Sequence, residues 1–306
     1  MAVTSKTHFG IARKIVSNMT TESWRHIPHV VIMYEADVTE LLQEREKLNE
    51  TITEKSEKIS INTIMLRCIC EGLKAAPMLN SHLDFSRELV RGCLTCYDHI
   101  DISMPMILHT GEMMTINMHD MGNKTLTQMT EALGEVVRRS KQTNVPEVMY
   151  DVSIDNTLMW LRRGKVIKSL LKIYGARVGK HRVKVLSGEE RKKYYAIPES
   201  ERLTKHDIEQ GTVTVSNLGS VYRGHKGSCA MLEIIPPQTT AFALDAVQRK
   251  PVVVTDAEGN ESIEIRSIIP ITIAFDHRVL DYDHVVPFME RLDEIFEDPS
   301  VVQSWK

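Results

Sequence analysis

Phe275-Asp276-His277-Arg278-Val279-Leu280-Asp281 closes an apolar run that begins near Ile263. The run reads as a strand, Ile263 to Phe275, and it delivers a histidine between charged neighbours at its end. A histidine so placed suits a general base, because its ordinary titration range straddles neutral pH. Asp276, Arg278 and Asp281 are placed to form ion pairs that fix the loop. Taken alone, the same residues also describe a purely structural histidine in a charged loop.

Working outward, helical and strand periods alternate along the chain. Thr7 to about Thr21 predicts a helix with Ile11, Ile15 and Met19 on one face, and Pro28 precedes a short strand at Val30–Tyr34. Asp37 is the expected N-cap of the next helix, and Asn62–Ala76 carries a second apolar stripe ended by Pro77. Leu89–Cys96, His99–Ile107 and Met113–Asn117 read as short strands, with turns at Gly92 and Thr110-Gly111. Thr125 caps a helix. Thr212–Val215 is a strand running into a turn, Ser216-Asn217-Leu218-Gly219. Thr240–Val247 and Val252–Thr255 are further strands, and Asp256–Asn260 joins the last of them to Ile263–Phe275. A final helix starts near Asp283 with Val286, Met289, Leu292 and Phe296 inward. Helices mixed with strand hairpins predict an α+β fold rather than a doubly wound sheet.

Composition narrows the function classes. The chain has 306 residues, 42% hydrophobic and 26% charged, which excludes a disordered tail. Its net charge of −3 gives no global field for nucleic acid. No run of about 18 apolar residues predicts a transmembrane helix. The N-terminus lacks the apolar core of a signal peptide, and five cysteines suit a reducing cytoplasm. Cys93 and Cys96 have the two-residue spacing of a metal site. The second pair is missing, so no metal is expected.

The charge is unevenly distributed. Residues 160–193 hold twelve Lys or Arg and only two acids, Glu189 and Glu190, a local net charge of +10. They lie in a helical insert at about 141–210. Trp160, Ile167, Leu170, Leu171 and Tyr174 add apolar anchors. Such an insert suits a solvated surface helix, a binder of phosphates or an acidic carrier, or an anionic membrane surface.

Asp276-His277-Arg278 with Asp281 resembles the Asp-His-Arg-x-x-Asp-Gly motif of the catalytic domain of 2-oxoacid dehydrogenase acyltransferases, which share the fold of chloramphenicol acetyltransferase. Thr214-Val215-Ser216-Asn217-Leu218-Gly219 is similar to the family's Thr-Ile-Ser-Asn-Leu-Gly. Ile27-Pro28-His29, Asp37–Leu41, Ile100–Ser103, Leu126–Met129, Pro236-Pro237-Gln238 and Phe296–Pro299 follow in collinear order. The resemblance implies one domain over 1–306, a two-layer sandwich of mixed sheet and helices enlarged by the basic insert. It implies acyl transfer between coenzyme A and a thiol, lipoyl-like or other, in a homotrimer or larger homo-oligomer. It also implies His277 as general base facing Ser216 of a neighbouring subunit, Ser216 as oxyanion donor, and Asp281 paired with Arg13 to hold the histidine loop.

Tyr282 departs from the family glycine after Asp281, and a glycine with positive φ there would make tyrosine strained. No lipoyl domain precedes residue 7, so a separate lipoyl or acyl carrier protein would serve the site. A competing expectation is a catalytically weak or inactive trimeric scaffold that binds partners through the insert.

Overall fold

The computed structural model describes residues 3–108, 111, 113–162, 166–178, 182–183 and 185–306. The predicted turn residue Thr110 and the insert residues Arg163, Lys165, Lys180 and Lys184 lie outside them. For Trp160, Arg162, Lys168, Lys172 and Arg177 only the backbone is described.

The chain resolves into two compact units. The larger comprises Ser23–Pro105, Met118–Gly134 and Gly211–Lys306. Its strands are β1 (His29–Asp37), β2 (Ser81–Ser86), β3 (Arg91–Cys96), the first part of β4 (Ile102–Ile107), β6 (Val213–Asn217), β7 (Thr240–Leu244), β8 (Gln248–Thr255) and β9 (Glu261–Asp276). The main sheet runs β1-β9-β7-β6-β4, with β8 on the first half of β9. β6 is parallel to β4 and β7, while β9 is antiparallel to β1, β7 and β8. The sheet is mixed and the fold α+β, as the alternating periods predict.

Strand alternation gives the sheet two dry faces. On one, Phe242 of β7 stacks on Phe288 of α9 (Tyr282–Glu297), ring centroids 5.1 Å apart. Gly72 of α3 (Ile61–Ala75) is needed there, because a Cβ would fall 2.6 Å from the Phe288 ring. On the other face, Ala241, Ala243 and Ala274 pack under Ile27, Leu232 and Ile234.

Three local expectations are corrected and a fourth is met. Gly92 lies inside β3, opposite Phe85, and the strand that partners it, β2, was not foreseen. The buried stripe of α9 is Val285, Phe288, Leu292 and Ile295, one position off the expected phase except at Leu292. Val38 is the N-cap of α2 (Thr39–Asn49). Asp37 acts one residue earlier, its carboxylate accepting from the Thr39 N–H and hydroxyl. Thr125 does cap α4 (Leu126–Ser140): its hydroxyl accepts from the Gln128 N–H and its N–H donates to the Gln128 side chain.

The second unit comprises Met1–Glu22, Met106–Asn117 and Glu135–Gln210. It holds most of α1 (Ile11–His26), most of β5 (Met113–Met118), α5 (Val145–Arg162), α6 (Val166–Arg177) and α7 (Gly188–Tyr195). Its interior is organised by charge. Buried Glu147 receives the Leu186 N–H and an ion pair from Arg191, and Arg139 grips Asp207 with two nitrogens at 2.7 and 2.8 Å. Burial alone would raise the Asp207 pKa. The hydrogen bonds from Arg139 and Thr204 outweigh it and hold the carboxyl below its ordinary value.

Candidate active site

β9 ends at Asp276, whose side chain is fully buried. That carboxylate does not float free: Arg278 folds back on it, Nε at 3.0 and 3.1 Å and a terminal nitrogen at 2.6 Å. The Asp276 carbonyl accepts the Val279 and Leu280 N–H groups. The turn is thereby tied to a buried anchor, and His277 stands on it with its own N–H donating to the Pro28 carbonyl at 3.0 Å. Of the expected ion pairs, Asp276–Arg278 forms.

The ring of His277 is oriented from one side. Nδ1 lies 3.0 Å from the Leu280 carbonyl oxygen and 3.3 Å from the Asp281 carboxylate. A carbonyl only accepts, so in the neutral ring Nδ1 carries the proton and Nε2 the lone pair. Half of the side chain is open to solvent. This is the state a general base needs. Asp281 is the N-cap of α9, its N–H donating to His284 Nδ1 at 3.0 Å.

Ser216 sits near the end of β6, in register with Ala243 of β7. Asn217 caps the short turn that follows by accepting the Ser220 N–H. Gly219 does not take a positive φ. It is required by a close approach: a Cβ would meet the Asp245 carbonyl oxygen at 2.7 Å and the Ala246 backbone at 2.8 Å. Tyr282 is likewise unstrained. It is the first residue of α9, its φ is not positive, and its side chain is exposed.

The structure brings His277 and Asp281 together, but it keeps His277 and Ser216 of one chain apart. Ala243 is opposite Thr272, while β9 runs on four residues to Asp276, which lies beside the start of β7. At about 3.3 Å per residue and 4.8 Å per strand, Ser216 and Asp276 are separated by about 16 Å. Arg13 is on α1, in the other compact unit from Asp281.

The residue types did not reveal the groups that orient the histidine, because two of them are backbone carbonyls, of Pro28 and Leu280. His29 follows Pro28 and pairs with Asp276 across the sheet. Its Nδ1 faces the Ile27 carbonyl at 2.8 Å, and its Nε2 accepts the Ile234 N–H at 3.1 Å. Burial pushes its pKa below the usual histidine value, against the opposing hydrogen bond to Ile27. Cys93 and Cys96 are exposed on β3. Among the described residues, the one cluster of three potential metal ligands is Asp281, Asp283 and His284, which are surface groups.

A half-exposed histidine held through Nδ1 at a strand end, on a mixed sheet backed by helices, is an arrangement able to take up and return a proton. The chain belongs to the family of 2-oxoacid dehydrogenases acyltransferase (catalytic domain), whose model matches residues 2–154 and 188–303. Residues 155–187 fall between the two matched stretches. The dihydrolipoyllysine-residue acetyltransferase component of the pyruvate dehydrogenase complex of Zymomonas mobilis is 23% identical over 94% of this chain and 48% of its own length. The mitochondrial counterpart of Saccharomyces cerevisiae is 23% identical over 94% and 45%. The chain therefore spans about half the length of the curated relatives it matches. Among solved structures, a probable dihydrolipoamide acetyltransferase from Listeria monocytogenes superposes with a TM-score of 0.66 at 19% identity, covering 98% of this chain and 97% of that one. The acetyltransferase of Azotobacter vinelandii, studied for the catalytic roles of a serine, a histidine and an asparagine, gives 0.64 at 16% identity, covering 99% and 95%.

Proposed function

We propose that the chain catalyses acyl transfer between coenzyme A and a thiol acceptor, lipoyl-like in kind, in a homotrimer or larger homo-oligomer. The observation that carries the reading is the Nδ1 lock on His277, which leaves Nε2 open to accept a proton. The acceptor thiol gives that proton to Nε2, and its sulfur attacks the acyl thioester carbonyl. The oxyanion of the tetrahedral intermediate takes a hydrogen bond from the Ser216 hydroxyl. On collapse, the carbon–sulfur bond of the original thioester breaks, and the leaving thiolate recovers the proton from His277. No covalent enzyme intermediate is needed.

The separation of His277 and Ser216 within one chain supports a site shared between neighbouring copies. Asp281 supports the reading as well. The Azotobacter protein was studied for an asparagine four residues beyond its histidine, and Asp281 stands four beyond His277. An aspartate there holds the ring through Nδ1, and the role for Arg13 that the family resemblance implies belongs to the same proposal. We further propose that the whole of 1–306 acts as one catalytic domain, since the family match runs through both compact units. A separate lipoyl or acyl carrier would supply the acceptor in the cytoplasm, a setting that five free cysteines suit.

The test is thioester exchange between acetyl-coenzyme A and dihydrolipoamide. Turnover by the wild type, lowered about 10²–10⁴-fold in His277→Ala, is the expected result. A wild type with no turnover on any common acyl-coenzyme A and dithiol would leave the scaffold reading standing instead.

A further inference from the structure

The helix α6 wears its apolar side outward. Ser169 is fully buried, whereas Ile167 is 76% exposed and Leu171 and Tyr174 are each 66% exposed. Val166 and Leu170 are also about half exposed. At 100° per residue these five side chains form a continuous stripe about 140° wide on the solvent side. The helix is held in place from within its own unit: Lys14 Nζ donates to the Gly175 carbonyl, and the Val183 N–H to that of Ala176. A soluble surface helix reverses this pattern, so the stripe calls for a partner.

The sequence around the stripe says which partner. Residues 160–193 carry a net charge of +10, while the remaining residues of the chain carry −13. A second copy docking α6 on α6 would press two strongly cationic segments together. An acidic carrier would meet the lysines and leave the stripe in water. An anionic bilayer surface accommodates both the apolar stripe and a segment of strong positive charge. α6 has 12 residues, about 18 Å in length, too short to cross a bilayer. No described helix is long and apolar enough to do so.

We infer that α6 docks the protein on an anionic membrane surface, lying in the interface plane. The residues concerned are outside the two stretches matched to the family, so the surface belongs to this chain's own elaboration.

The experiment is co-sedimentation of the full chain with phosphatidylcholine vesicles, with and without phosphatidylglycerol, at low and high salt. Binding is expected only with the anionic lipid and is expected to weaken as salt rises. Ile167→Glu with Leu171→Glu should reduce binding at least tenfold with thioester turnover in solution unchanged. Lys168→Gln with Lys172→Gln should cost about fivefold per lysine. Absence of wild-type binding at low salt overturns the proposal, as does binding that both variants retain in full. A change in the vesicle-free sedimentation coefficient of the glutamate variant also overturns it, because a second copy would then be what covers the stripe.

Discussion

Ser216 and His277 stand on the same sheet and at opposite ends of it: Ser216 near the end of β6, His277 just past the strand end that lies beside the start of β7. In the proposed shared site, one residue comes from each of two copies. Mixing inactive chains then recovers activity. His277→Ala and Ser216→Ala, each lowered on its own, should regain activity when co-expressed, since about a quarter of the shared sites receive a wild-type residue from both sides. The measurement is specific turnover of the purified mixture against each parent. A mixture no better than its parents would place the two residues in separate roles. Ser216→Ala alone is expected to lose about 10²–10³ in kcat.

Gly219 sets the position of the Ser216 turn by sheer proximity to the Asp245–Ala246 backbone. Backbone cannot swing aside as a long side chain does. Gly219→Ala should therefore destabilise by about 1–3 kcal/mol and shift the turn. Turnover should drop more than the loss of folded protein explains, read as kcat per active site alongside the thermal midpoint. An unchanged kcat would show that Ser216 is held by β6 alone.

How the sequence met the structure depends on whether side chains or backbone carried the message. The strand end at Asp276 and the turn after β6 were legible because alternating apolar residues stop abruptly at polar ones. The α9 stripe was misplaced because Val285 and Val286, and Phe288 and Met289, are adjacent apolar pairs. Only the fit of Phe288 against Gly72 and Phe242 selects between the two phases. β2 was missed because Ser81-His82-Leu83-Asp84-Phe85-Ser86 alternates weakly and, beyond β3, makes only a single bridge, His82 to Gln238. The carbonyls of Pro28 and Leu280 that aim His277 have no residue signature.

Tyr282 occupies the position of the family glycine without strain, as the first residue of a helix. Tyr282→Gly should leave the site geometry intact and cost up to about 1 kcal/mol through weaker helix propensity. Chemical unfolding and steady-state turnover check this together. A gain in turnover of tenfold or more would mean that the exposed ring obstructs the acceptor's path to His277.

Asp207 makes stability in the second unit depend on acid. Its folded pKa is depressed below the ordinary 3.8, so its contribution is complete above that value and is lost as pH falls through the folded one. Wild type and Asp207→Asn should differ by about 1–3 kcal/mol at neutral pH and converge in strong acid. Denaturant midpoints across the acid range give the comparison. A difference that stays constant would assign the Arg139 contact no ionic share.

His29 titrates at the other end of the scale and lies one residue from the carbonyl that holds His277. Burial places its folded pKa below the ordinary histidine value of 6.5. The unfolded chain then binds the extra proton more readily, so this residue's contribution is complete above about pH 6.5 and fades as pH falls toward the folded value. Protonation also turns Nε2 from acceptor to donor and breaks the bond from the Ile234 N–H. In His29→Gln the amide oxygen can accept that N–H without titrating. The wild type should be the more stable by about 1 kcal/mol near neutral pH, with the gap closing below about pH 6. Because His82 is also pushed down by burial, the readout is the difference between the two proteins at each pH, not either curve alone. Parallel curves from pH ~8 to ~5 would show that the ring serves only as packing beneath Trp24, whose indole stacks on it at 4.6 Å.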